Sequence, residues 1–123
     1  MNRSLFGLTP SLLLRLESLA LLTGVLAVYS RIAPDWGLFA LLLLVPDLSM
    51  AGYLRGKRLG SLLYNVGHTL SLSLLVVAVG LATSSALTVQ IGLIWTAHIA
   101  VDRVLGYGLK YTTDFKDTHL QRV

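Results

Sequence analysis

The chain has 123 residues, 54% of them hydrophobic and 13% charged, with a formal charge of +4 and no cysteine. Soluble domains carry about 25% charged residues, so this composition describes one domain immersed in a bilayer. The missing thiols exclude disulfides, thiolate metal sites and cysteine nucleophiles. The basic residues cluster between and after apolar runs, which argues for a topology signal and against nucleic acid as a partner.

Four apolar segments follow one another: residues 11–30, 35–53, 59–82 and 86–107. Each approaches the ~20 residues that a helix needs to cross ~30 Å of hydrocarbon. Lipid offers the backbone no hydrogen-bond partners, so the segments are read as helices. Thr9-Pro10 is a good start for the first, a capping hydroxyl followed by proline in the first turn. Arg15 and Glu17 interrupt that segment, which therefore reads as a span rather than a cleaved leader. The connections "RIAP", "LRGKR" and "TSS" are short and force antiparallel neighbours. The expected fold is all-α: an integral membrane four-helix bundle forming a single domain over 1–123, with a tail at 108–123.

The ten basic residues orient this bundle. With four spans, Arg3, Arg15, Arg55, Lys57, Arg58, Arg103, Lys110, Lys116 and Arg122 fall on one side, and only Arg31 on the other. The positive-inside rule then places both termini in the cytoplasm of an inner (plasma) membrane protein.

Threading the chain this way brings Glu17, Asp47, Asn65, His68, His98 and Asp102 into one half of the bilayer. His98 and Asp102 are four apart and share a helix face, as do Asn65 and His68, three apart. Pro46 should bend the second helix next to Asp47. Arg103 points about 100° away from Asp102 and is expected to snorkel to the interface. Tyr53, Tyr64, Tyr107 and Tyr111 read as a cytoplasmic aromatic belt, and Tyr29 and Trp36 as the outer one. Trp95 reads as packing, and Gly24, Gly60, Gly67, Gly80 and Gly92 as close helix contacts.

A charge at the centre of a membrane helix costs about 2.5–3.5 kcal/mol. Glu17, Asp47 and Asp102 must therefore be protonated, paired or metal-bound. Two readings stay open. In one, His68, His98, Asp102 and Asp47 hold a divalent ion, for which imidazole and carboxylate suit zinc, iron or manganese. In the other, the same groups form a structural polar network with Asn65, Tyr64, Ser61, Thr96 or Arg15. No named metal motif is matched. Glu17 is a candidate proton-transfer group, and Asn65 an accessory one. His119 either joins the cluster through a folded-back tail or is a solvated histidine.

The stretches "RLES", "PDLSMAGYLRGKRLGSLLYNVGHT" and "WTAHIAVDRVLGYGLKYTTDFKDTHL" resemble a family of small bacterial integral membrane proteins, domain-of-unknown-function family 4260. The resemblance covers nearly the whole chain. It supplies no catalytic residues, but implies that "DRVLGYGLKY" and "DTHL" belong to one signature, which draws the tail towards the site. A looser likeness, in chemistry only, is to intramembrane zinc hydrolases of the ceramidase type.

The expected activity is that of a metal-dependent membrane hydrolase acting on a lipid-like substrate from the cytoplasmic leaflet, with Asp47 as ligand or base and Glu17 assisting. The alternative is a small transport or binding protein whose polar cavity takes an ion or small-molecule ligand. A third is a haem protein with His68 and His98 as axial ligands. Oligomeric state is left open, a homo-oligomer included.

Overall fold

The structure, a computed structural model, describes residues 9–32, 34–113 and 115–122. Arg3 of the orientation pattern, Ala33 of the first connection, and Asp114 and Val123 of the tail lie outside the described residues. Helix α1 spans Pro10–Ile32. Thr9 starts it as expected: its hydroxyl accepts from Leu12 N at 3.1 Å. Helix α2, Trp36–Leu42, is capped by the Asp35 carboxylate, which accepts from Leu38 N.

The second apolar segment does not continue as one α-helix. A 3₁₀ helix takes over at Val45–Leu54. Pro46 has no N–H to give to Leu42 and its ring crowds the preceding turn. The chain answers by tightening, so that Asp47 N bonds Leu44 O rather than Leu43 O. The third segment is broken too. Helix α3, Lys57–Gly67, ends at His68, and helix α4, Leu70–Ala82, begins after Thr69.

Helix α5, Ala86–Leu105, starts on the Ser85 hydroxyl and stops at Gly106, whose left-handed backbone (φ 99°) closes the last turn. The tight turn between α4 and α5 puts Ser84 at φ 55°, and Ser85 N reaches back to Gly80 O, a Schellman-type end. Gly80 and Gly92 let α4 and α5 approach closely. A Cβ on Gly92 would lie 2.7 Å from Val77 N, and one on Gly80 2.6 Å from Val89 N. Gly24, by contrast, faces open space.

Among the described residues, three helical stretches are long and apolar enough to cross a membrane: Pro10–Ile32, Trp36–Leu54 and Lys57–Ala82. The fourth segment plays a different part. α5 packs against α4, α1 and α2, and most of its length from Val89 to Ala100 is buried. Large side chains on the other elements, Leu41, Leu48, Leu54 and Leu75 among them, point outwards, as a lipid-facing surface would. The polar residues of "HIAVDR" thus sit on the most buried helix.

Two aromatic expectations change. Tyr29 is fully buried against Trp36 and Phe39. Tyr64 is buried and stacks on the His68 ring, with centroids 3.8 Å apart. Both rings face the protein interior.

Candidate metal centre

Each broken helix leaves a backbone carbonyl free, and a histidine takes it. Because His68 N bonds Asn65 O, Tyr64 O is released, and His68 Nδ1 donates to it at 2.9 Å. Because Asp47 N bonds Leu44 O, Leu43 O is released, and it hydrogen-bonds the His98 ring. Both rings are thereby turned so that Nε2 faces Asp47 and Asp102. Such outer contacts fix ring orientation and tautomer in histidine metal sites.

The two Nε2 atoms lie 3.1 Å apart. Asp47 Oδ1 is 3.3 Å from His68 Nε2 and 3.1 Å from His98 Nε2. Asp102 Oδ2 is 3.2 Å from each. All four ligand atoms fall within 4.8 Å of one another, so Asp47, His68, His98 and Asp102 form a group able to hold a metal ion. A tetrahedral ion with ligands at about 2.0 Å separates those ligands by about 3.3 Å, which the edges that involve a histidine match, while the Asp47–Asp102 edge lies within 4.8 Å.

Charge balance favours a cation as well. Two carboxylates converge on the two imidazoles, an acidic excess that a divalent ion would offset. The histidine side chains are 3% and 4% exposed and Asp102 17%, so water cannot solvate that excess well. Asp47 is 36% exposed and forms the open edge. The arrangement does not suit haem: axial ligands sit on opposite faces of a porphyrin, and these rings leave no room for one.

The remaining candidates lie elsewhere. Asn65 clamps the tail, giving Nδ2 to Lys110 O and taking Lys110 N at Oδ1, at 2.8 and 2.7 Å. The tail does fold back, but His119 Nδ1 accepts from Leu109 N at 2.8 Å and does not join the four ligands. Burial, and then the nearby Arg103, push its pKa down. Glu17 lines a separate cavity with Ser18, Arg103 and His119. Arg103 does not snorkel outwards; it donates to His68 O at 3.2 Å. Trp95 does more than pack: its Nε1 donates to Gly67 O at 2.6 Å. Two carbonyls exposed by the α3–α4 break are thus satisfied from α5, as apolar surroundings require.

Tyr64, expected in the belt or the polar network, meets His68 through its carbonyl and its ring; Leu43 was not foreseen. The i, i+4 spacing of Tyr64 and His68 was a usable signal for the stacking. Leu43 acts through its carbonyl, which no side-chain pattern reveals.

An apolar cavity of about 360 Å³ is lined by Leu42, Val45, Pro46, Gly67, Ile94 and Trp95, with Ser49 beside them; none of the four ligands lines it. Pro46 and Gly67 directly precede Asp47 and His68.

No curated protein and no solved structure matches the chain. One family pattern matches residues 11–123, and on that match the chain belongs to the family described as a domain of unknown function, DUF4260.

Proposed function

We propose that the protein is an intramembrane metal-dependent hydrolase acting on a lipid-like substrate, built as a four-helix bundle with both termini cytoplasmic. One observation carries this reading: a four-ligand cluster with one exposed edge, whose Asp47 and His68 directly follow Pro46 and Gly67, lining residues of an apolar cavity large enough for part of an acyl chain. His68, His98 and Asp102 are the holding ligands. A divalent ion there, zinc, iron or manganese, would polarise a carbonyl or phosphoryl oxygen and lower the pKa of bound water. The residues of the chain do the rest. Tyr64 and Leu43 carbonyls keep both imidazoles aimed. The cavity holds the apolar part of the substrate and excludes water. Asp47, at the open edge, takes the proton from the attacking water.

A second reading keeps Asp47 as a permanent fourth ligand, giving a closed ion site in a binding or transport protein. Four protein donors converging on one point favour it, since closed four-ligand sites are structural in character. Broken helices flanking an ion site also occur in transporters.

The test is zinc-loaded protein in nanodiscs, presented with fluorogenic glycerolipid esters and phosphodiesters. The hydrolase reading expects turnover that Asp47→Asn removes while the ion stays bound. Absence of turnover across these substrates, with an ion that Asp47→Asn releases, would overturn it in favour of the closed site.

A further inference from the structure

A second cavity, of about 250 Å³, lies where α1, the start of α4, the end of α5 and the tail meet. It is unlike the apolar one. Its polar groups are Glu17 and Ser18 from α1, Arg103 from α5 and His119 from the tail, set among leucines. Its volume falls below the about 300–1,000 Å³ of drug-sized pockets, which is the scale of a polar head group rather than of an entire lipid.

Each polar group offers an unused function. His119 Nδ1 accepts from Leu109 N, which puts the ring proton on Nε2 as a donor. His119 is held there by its backbone as well, His119 N donating to Leu109 O at 2.9 Å. Gly108 fits beneath the ring, where a Cβ would meet Nδ1 at 2.6 Å. Arg103 spends one NH2 contact on His68 O, and a guanidinium has five N–H donors. The Ser18 hydroxyl donates to Leu14 O at 2.9 Å and keeps lone pairs. Among the described residues Glu17 has no ion-pair partner. The cavity therefore presents a carboxylate from α1 together with a guanidinium from α5 and an imidazole donor from the tail.

We propose that this cavity binds an aminoethyl-phosphate group, as found in the ethanolamine phospholipid head group and in its soluble ester. The phosphate accepts from Arg103 and His119, the geometry for which arginine is suited. The ammonium donates to Glu17. The leucines take the first methylenes of attached chains. The site is distinct from the metal cluster, and Arg103 links the two, since it also holds the carbonyl of His68. Nothing in this binding depends on a metal or on hydrolysis.

Full-length protein in detergent, stripped with a chelator, is offered equal amounts of phosphatidylethanolamine and phosphatidylglycerol, and the retained lipid is measured by native mass spectrometry. Phosphatidylethanolamine should be retained about tenfold over phosphatidylglycerol, the ratio one added ion pair in apolar surroundings supports. Glu17→Gln, on an exposed position, should bring that ratio to about one without lowering total lipid. His119→Asn, which keeps an acceptor for Leu109 N, should lower retention of both lipids, and Arg103→Lys should do the same. Displacement of bound lipid by soluble phosphoethanolamine but not by inorganic phosphate would assign the site to the soluble ester; retention of lipid against it would assign the site to the membrane lipid. Equal retention of the two lipids by the wild type, or a ratio untouched by Glu17→Gln, would overturn the proposal. Because the protein is metal-free throughout, these results are independent of whether it is a hydrolase.

Discussion

Pro46→Ala probes the link between backbone and metal site. Proline sits at the first turn of the 3₁₀ helix, a position it tolerates. Its replacement should change the stability of metal-free protein by only about 1 kcal/mol, the net worth of a hydrogen bond to Leu42 O gained or not. The effect on the site is larger. A 3₁₀ helix rises about 2.0 Å per residue and an α-helix 1.5 Å, with three and 3.6 residues per turn. If residues 45–47 relax to α-helix, Asp47 moves by about 1.5 Å and turns by about 60°. Its Oδ1 now lies 3.1–3.3 Å from both Nε2 atoms, and a shift of that size takes it out of range. Asp47 N would also compete for Leu43 O, the carbonyl that orients His98. Loss of an orienting contact costs about 10–100-fold in metal affinity, or about 1.4–2.8 kcal/mol. Competition against a chromophoric chelator measures it, and thermal unfolding in detergent with and without chelator measures stability. An alanine variant that unfolds earlier when metal-free, yet binds zinc as tightly as wild type, would refute this reasoning.

Three further outcomes are expected. Reporters fused to either terminus, or inserted between Arg55 and Arg58, should read as cytoplasmic; a periplasmic C-terminal reporter would reverse the proposed topology. Purified protein should hold about one divalent ion per chain, which His98→Ala with Asp102→Ala should abolish. Chelation that leaves the thermal midpoint unmoved, with no affinity for added zinc, iron or manganese, would leave a proton-sharing network in its place. Asn65→Ala should cost about 1–3 kcal/mol by orphaning the Lys110 backbone groups and should make residues after Gly108 more sensitive to protease; unchanged cleavage would show that the tail is anchored elsewhere.

The convergence of Asp47, His68, His98 and Asp102 was legible because threading the segments back and forth converts sequence distance into height. Azimuth was less so. Glu17 matches the cluster in height, but α1 is apolar nearly all round, so its pattern does not say which face meets the bundle. The structure turns Glu17 to another cavity. Pro46 announced its break; the one at His68 carries no proline, and "GHT" is a weaker signal. That missed break explains the error over Arg103. A continuous third helix would have left His68 O satisfied and the guanidinium free to reach the interface, whereas the break leaves a carbonyl for it to hold.

The breaks also explain how so short a chain can aim four polar side chains in apolar surroundings. A straight membrane helix uses its own carbonyls and has none left to orient a histidine. Here the tightening at Pro46 releases Leu43 O and the end of α3 releases Tyr64 O, and each is taken by the imidazole it helps to position. The carbonyls left over, Gly67 O and His68 O, are taken by Trp95 and Arg103 of α5. α5 also supplies His98 and Asp102 to the cluster. The helix that brings two ligands therefore also braces the break that holds a third. This is why the most polar of the four segments is the most buried, and why changes at Trp95 or Arg103 should disturb the site without touching a ligand.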